Sequence, residues 1–168
     1  SVYMVLDQQT RRNLELFQVG RWGEGSSLLS VLDSTRTSMG GRLLRRWLGQ
    51  PLLSLVDLVQ RQDAVGLFYG DLQLRESVLT QLTHISDIER VLHRIHGNVA
   101  TPRELLGLKV SLEAGALTVD LLESNGAEHV KWLLQEITPL EEVVALIEHA
   151  IDPETFGGPG DGKIVREG

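Results

Sequence analysis

The chain has 168 residues, 42% of them apolar, with a net charge of −7 and no cysteine. That length supports one or at most two compact units with a hydrophobic core. Disulfides and thiolate metal sites are excluded, and the lack of cysteine accords with a reducing compartment. No run of about 18 apolar residues occurs, and no basic stretch followed by an apolar one opens the chain, so neither a transmembrane helix nor a secretory signal is expected.

Charge is laid out unevenly. Residues 1–50 hold seven arginines against four acids, residues 51–103 five basic against six acidic side chains, and residues 104–168 four against thirteen. A phosphate-binding surface must be locally basic. Only the first third leans that way, and its arginines are distributed over more than one predicted helix, a pattern that fits solvated helix faces and ion pairs.

In chain order, Val2 to Leu6 is a short β-prone run, and Asp7 is placed to cap a helix from Gln8 to Phe17. Asn13 is unfavourable in mid-helix, so its amide is expected to bind a neighbouring segment. Glycines 20, 23 and 25 predict a loop over residues 19–27, with Trp22 tucked beneath it. The apolar run Leu28 to Leu32 is cut by Asp33-Ser34-Thr35, whose side chains cap helix ends or close turns. A helix follows with Met39, Leu43, Leu44, Trp47 and Leu48 at helical spacing, ended by Gly49 and Pro51. Gly40 and Gly41 lie inside it at a cost of about 1 kcal/mol each relative to alanine, which implies close approach by another backbone.

Ser54 is predicted to cap a helix running to about Tyr69, with Leu55, Leu58, Val59, Gln62, Val65 and Phe68 as its packed face. Helices are also expected over Leu72 to Leu82 and Asp87 to His96, the latter closed by Gly97-Asn98. Thr101-Pro102-Arg103-Glu104 is a helix start with a threonine cap, proline at the first position and glutamate three after the cap. The helix it opens is expected to reach about Glu123, a rod of roughly 33 Å. Glu128 to Ile137 predicts another helix, and Thr138-Pro139-Leu140-Glu141 repeats the capping pattern to open Leu140 to Ile151. Pro153 to Gly162 cannot be helical, and Lys163-Ile164-Val165 starts a strand. The chain is therefore expected to be an excised piece of a longer protein, in keeping with Ser1 in place of an initiator methionine.

Leu32-Asp33-Ser34-Thr35-Arg36-Thr37-Ser38-Met39-Gly40, followed by Arg42-Leu43-Leu44, Trp47-Leu48 and Pro51-Leu52, resembles the hallmark run of the MutS mismatch-repair core domain. Thr10-Arg11-Arg12-Asn13-Leu14-Glu15-Leu16 upstream, and Arg61 to Val65, Asp87-Ile88-Glu89-Arg90 and Pro102-Arg103-Glu104-Leu105 downstream, are similar in order and spacing. The resemblance implies an all-α bundle with long lever helices: a helical core over 1–100, outgoing levers over 101–152 and the truncated start of a DNA clamp over 153–168. It implies a relay between the clamp and the ATPase part of a mismatch-recognising parent. The motif residues Asp33, Thr35, Thr37, Gly40 and Arg42 would be structural, as would Asp87, Glu89 and Arg90 at a second junction.

By the same resemblance, the parent would be cytoplasmic, bacterial-type, dimeric, bound to mismatched double-stranded DNA and to a MutL-type partner, and no membrane would be involved. Its ATP and magnesium would bind a Gly-x-x-x-x-Gly-Lys-Ser/Thr loop downstream, and its Phe-x-Glu mismatch probe would lie upstream. Neither motif occurs here, since lysine stands only at 109, 131 and 163. No catalytic, cofactor or metal residue is therefore expected in this chain. His84, Asp87, Glu89, His93 and His96 crowd together, with His93 and His96 at ligand spacing, but capping and ion pairing explain them better. No serine has a nucleophile-elbow context. Alternative readings are a self-sufficient DNA-binding helical module or a recombination-type relative. Without a returning lever, an exposed apolar stripe is expected over Glu104 to Ile151.

Overall fold

The computed structural model describes residues 3–18, 25–125, 128–135 and 137–151. Among these residues the fold is all-α, as expected, with no β-strand. An isolated antiparallel bridge pairs Tyr3 with Leu52, using the β-prone run near the N-terminus. No helix among the described residues is long and apolar enough to cross a membrane. The chain divides into two compact units, Ser1–Gly70 and Asp71–Gly168.

The first unit holds α1 (Gln8–Asn13), α2 (Leu28–Leu32), α3 (Ser38–Gly49) and α4 (Leu55–Gly70). Asp7 caps α1 by accepting from the Thr10 N–H at 2.6 Å. The helix stops at Asn13, four residues earlier than expected, because Glu15 takes a positive φ of 48°. The Glu15 N–H then reaches the Arg12 carbonyl and the Leu16 N–H that of Arg11, the paired bonds of a Schellman ending with glutamate where glycine is usual. This turn has a use. It leaves the carbonyls of Glu15 and Leu16 free to accept the Leu28 and Leu29 N–H groups, which open α2 and lack partners within it. Leu16 is buried as a result. Asn13 accepts from Gln9 one helical turn back at 2.8 Å, so its amide is satisfied within its own helix. Trp22 lies outside the described residues.

Helix α4 starts on Ser54, which accepts from the Asp57 N–H. Its packed line differs from the expected face. Ala64 is buried and Arg61 lies 3.5 Å over the Trp47 ring, whereas Leu55 and Val65 are 73% and 69% exposed. The cation and the small residue pack because a flat guanidinium covers an indole better than a branched side chain does.

The second unit is organised on α7 (Pro102–Ser124), against which α5 (Leu72–Leu82), α6 (Ile88–His96) and α9 (Glu141–Ala150) all pack. Val91, Leu108, Ile147 and Ile151 form a buried cluster, with Ile88, Ile95, Leu105 and Leu112 against it. Asp71 caps α5 and Asp87 caps α6. Helix α6 ends in a second Schellman pair, Asn98 N–H to the Ile95 carbonyl and Val99 N–H to that of Arg94. The residue with positive φ is Asn98, at 53°, while Gly97 has a negative φ of −81°. Thr101 and Glu104 close a complete capping box. Arg94 joins it through a 2.7 Å ion pair to Glu104 and donates to the Val99 carbonyl at 2.7 Å, tying the end of α6 to the start of α7.

The expected helix from Glu128 to Ile137 is instead a 3-10 turn, Glu128–Val130, running into the short α8 (Lys131–Leu134). Val130 is fully buried there. Thr138 does not cap α9, whose Leu140 N-cap position has no side-chain bond. Because α9 starts at Glu141, Thr138 is too far upstream. The acids Glu141 and Glu142 in the first turn meet the exposed N–H groups electrostatically instead. On α7 the exposed Val110 and Leu117 alternate with Arg103, Glu113 and Asp120, and on α9 Val143 and Leu146 are exposed as well, so the expected apolar residues are exposed but interspersed with charge. The clamp start expected at residues 153–168 lies outside the described residues.

Two outcomes follow from the caps. Thr101→Ala should cost about 1 kcal/mol of unfolding free energy, and Thr138→Ala less than about 0.5 kcal/mol, in urea titrations. Equal costs would contradict the assignment of the two helix starts. The Thr101 N–H, and after it the Arg94 side chain, hold the Glu104 carboxyl below the usual range. Its stabilising contribution is thus full above the ordinary value of about 4.3 and is lost as pH falls through the lowered one. Glu104→Gln should melt earlier than wild type at neutral pH, with the gap closing as pH falls through the lowered value.

Candidate functional site

Four of the five motif residues in the first unit meet in one turn. Asp33 Oδ1 accepts from the Thr35 hydroxyl at 2.6 Å and from the Thr35 N–H at 3.1 Å, closing an Asx turn. These two bonds, the hydroxyl's first, hold the Asp33 carboxyl below its ordinary value. Thr37 then caps α3 by accepting from the Gly40 N–H at 3.0 Å. A β-carbon on Gly40 would meet Thr37 Oγ1 at 3.0 Å, and one on Gly41 would meet Thr35 Oγ1 at 3.3 Å. The close approach inferred from the glycine pair is therefore made by side chains of the turn itself, and the expectation of another backbone is corrected. The turn joins the end of α2 to the start of α3 through these bonds.

Arg42 lies one turn into α3 and lines a cleft with Arg11, Phe17, Arg45, Arg46 and Gly49. Here the structure gathers what the sequence left scattered. Arg11 donates to the Gly49 carbonyl at 3.2 Å, and Arg45 sits 4.7 Å from the centre of the Phe17 ring. Gly49 is buried against Phe17, where a β-carbon would come within 3.3 Å of the ring. The signal for this cleft was present: positions 42, 45, 46 and 49 fall on one helical face.

The second junction belongs to the other unit. Asp87 accepts from the Arg90 N–H at 3.3 Å, and Glu89 lies in the first turn of α6, where negative charge suits the helix dipole. Among the described residues no three His, Asp or Glu side chains are grouped to hold a metal ion. Sequence pattern did not single out Ser111, which is 1% exposed in the middle of α7. Its hydroxyl accepts from the Ser86 N–H at 2.9 Å, meets the Ser86 hydroxyl at 2.8 Å and lies 2.7 Å from the Gly107 carbonyl. One buried hydroxyl thereby fastens the α5–α6 connection to α7.

Substitutions separate these roles. Gly40→Val should destabilise by about 1–3 kcal/mol through overpacking against the Thr37 cap. Gly66→Ala, where nothing lies within 4 Å, should instead stabilise by up to about 1 kcal/mol as a helix-interior glycine replacement. Chemical unfolding of both variants checks this, and a neutral Gly40→Val would contradict the packing of the turn. Ser111→Val should cost about 0.5–1.5 kcal/mol, because it removes the acceptor of the Ser86 N–H and the partner of the Ser86 hydroxyl.

The model for MutS domain III matches residues 9–167 of this chain. A protein described as DNA mismatch repair protein MutS from Chlorobium limicola is 41% identical over 167 residues, which is 99% of this chain and 19% of that protein. Proteins of the same description from Pelotomaculum thermopropionicum and Thermosipho melanesiensis are 41% and 37% identical, over 99% and 100% of this chain and 20% of each relative. The chain thus spans about a fifth of the length of the curated relatives it matches. With the family match running almost end to end over an all-α fold, the chain belongs to the MutS family of DNA mismatch-repair proteins, in the part known as domain III.

Proposed function

We propose that this chain is the stiff intermediary of a mismatch-repair ATPase, carrying the state of a DNA clamp to a nucleotide-hydrolysing part and back. The observation that carries the reading is α7: 23 residues without interruption, capped by a complete box and packed by three other helices. At 1.5 Å per residue it spans roughly 35 Å. A helix so supported bends little and moves as a unit, which is what coupling between distant sites requires. On this reading residues 101–152 act as the outgoing lever, residues 1–100 as the core, and the segment beyond 152 begins the clamp.

The chemistry would reside elsewhere in the parent. ATP and magnesium call for a Gly-x-x-x-x-Gly-Lys-Ser/Thr loop, and no such sequence occurs here. Mismatched double-stranded DNA, a second copy of the parent and a MutL-type protein are the partners the family implies for the whole protein. The mismatch-repair description shared by the relatives favours this over a recombination role.

The test is made in the full-length parent. Leu117 is half exposed on α7, so Leu117→Ala should be mild, whereas Leu117→Pro breaks the rod by removing a helix bond. The proline variant should retain basal ATP hydrolysis and clamp binding to duplex while losing the effect of mismatched DNA on hydrolysis. Coupling that persists undiminished in the proline variant would contradict the relay.

A further inference from the structure

The arginine cleft of the first unit is not used by the relay. Arg45 and Arg46 lie on one face of α3, and Arg11 comes from α1 across the cleft. Among the described residues none of these three is paired with a carboxylate. The Arg11 Nε is buried and has no hydrogen-bond partner among the described residues, although its Nη2 donates to the Gly49 carbonyl. Three guanidinium groups thus line one cleft, two of them on exposed residues, a donor set whose fork geometry suits oxyanions. All this stands on a chain whose net charge is −7, so the concentration of positive charge here is local.

We propose that this cleft is a phosphate-binding site that takes the backbone of double-stranded nucleic acid, separately from any clamp. Arginine forks recognise phosphate oxygens in pairs. The cleft is open and the heads of Arg45 and Arg46 are exposed, so little desolvation favours a small enclosed anion. Such a surface gains instead from a polyanion through release of condensed counterions. The Phe17 ring holds Arg45 in place beneath the ligand and limits the entropy lost on binding. Sequence selectivity is not expected, because phosphate contacts position a duplex without reading it.

Fluorescence anisotropy of a labelled duplex with the 168-residue chain, from about 50 to 200 mM salt, tests the site. Binding should weaken steeply with salt. The double variant Arg45→Gln/Arg46→Gln should lower the slope of log K against log salt by about 2 and weaken binding roughly 10-fold or more. Arg103→Gln, an equal charge change per residue on α7 in the other unit, should leave the affinity within about 2-fold, as expected of a phosphate contact that is not made. Should the double variant melt early, Arg46→Gln alone should still lower the slope by about 1. Absence of duplex binding would overturn the proposal, as would equal weakening by Arg103→Gln. So would inorganic phosphate saturating the cleft without duplex binding, or a polyglutamate chain binding as tightly as the duplex with the same arginine dependence.

Discussion

The second unit depends on the burial of one side of α7. Leu108, Ser111, Ala114 and Leu122 all face inward along it, and the three helices packed on them make no comparable contact with one another. Without that shared surface α5, α6 and α9 would keep only minor contacts with one another. Leu108 joins the apolar cluster with Val91 and Ile147, while Ser111 brings the α5–α6 connection in by hydrogen bonds instead of apolar area. A serine can do this because its hydroxyl both accepts from the Ser86 N–H and donates to the Gly107 carbonyl of its own helix.

Helix ends are the second constraint. Long helices in both units begin on a side-chain oxygen, from Thr37 and Ser54 in the first to Asp71, Asp87 and Thr101 in the second. One of them, α6, and the shorter α1 end by turning through a residue with positive φ. These devices set where each helix stops, and so at what angle the next one leaves. At α6 and α7 the ending and the beginning are joined, since Arg94 bonds both the Val99 carbonyl and the capping glutamate Glu104. Movement at that junction must carry both helices together.

Much of this was legible because capping is local. Thr101 and Glu104 lie three residues apart, and nothing outside that turn decides whether they pair. What was not legible depended on distant residues. Glu15 adopts a left-handed backbone because its carbonyl serves α2, thirteen positions on, and no neighbouring residue announces that. Thr138 and Thr101 have the same surroundings in sequence, yet α9 begins too late to use Thr138. The packed face of α4 was misjudged for a related reason: Arg61 stacks on Trp47, and apolar periodicity counts an arginine as solvent-facing. The cleft of Arg11, Arg45 and Arg46 likewise needs α1 brought beside α3, which a charge count along the chain cannot show.

If α7 is the rod on which the second unit and the relay both rest, its amides should be the last to exchange. Native-state hydrogen exchange of the 168-residue chain measures this residue by residue. The amides from Leu108 to Leu122 should exchange only through global unfolding, with free energies that follow urea at the full global slope. A set of those amides opening at lower free energy and with little urea dependence would mean that α7 breaks locally. A helix that breaks locally cannot carry a displacement from one end to the other.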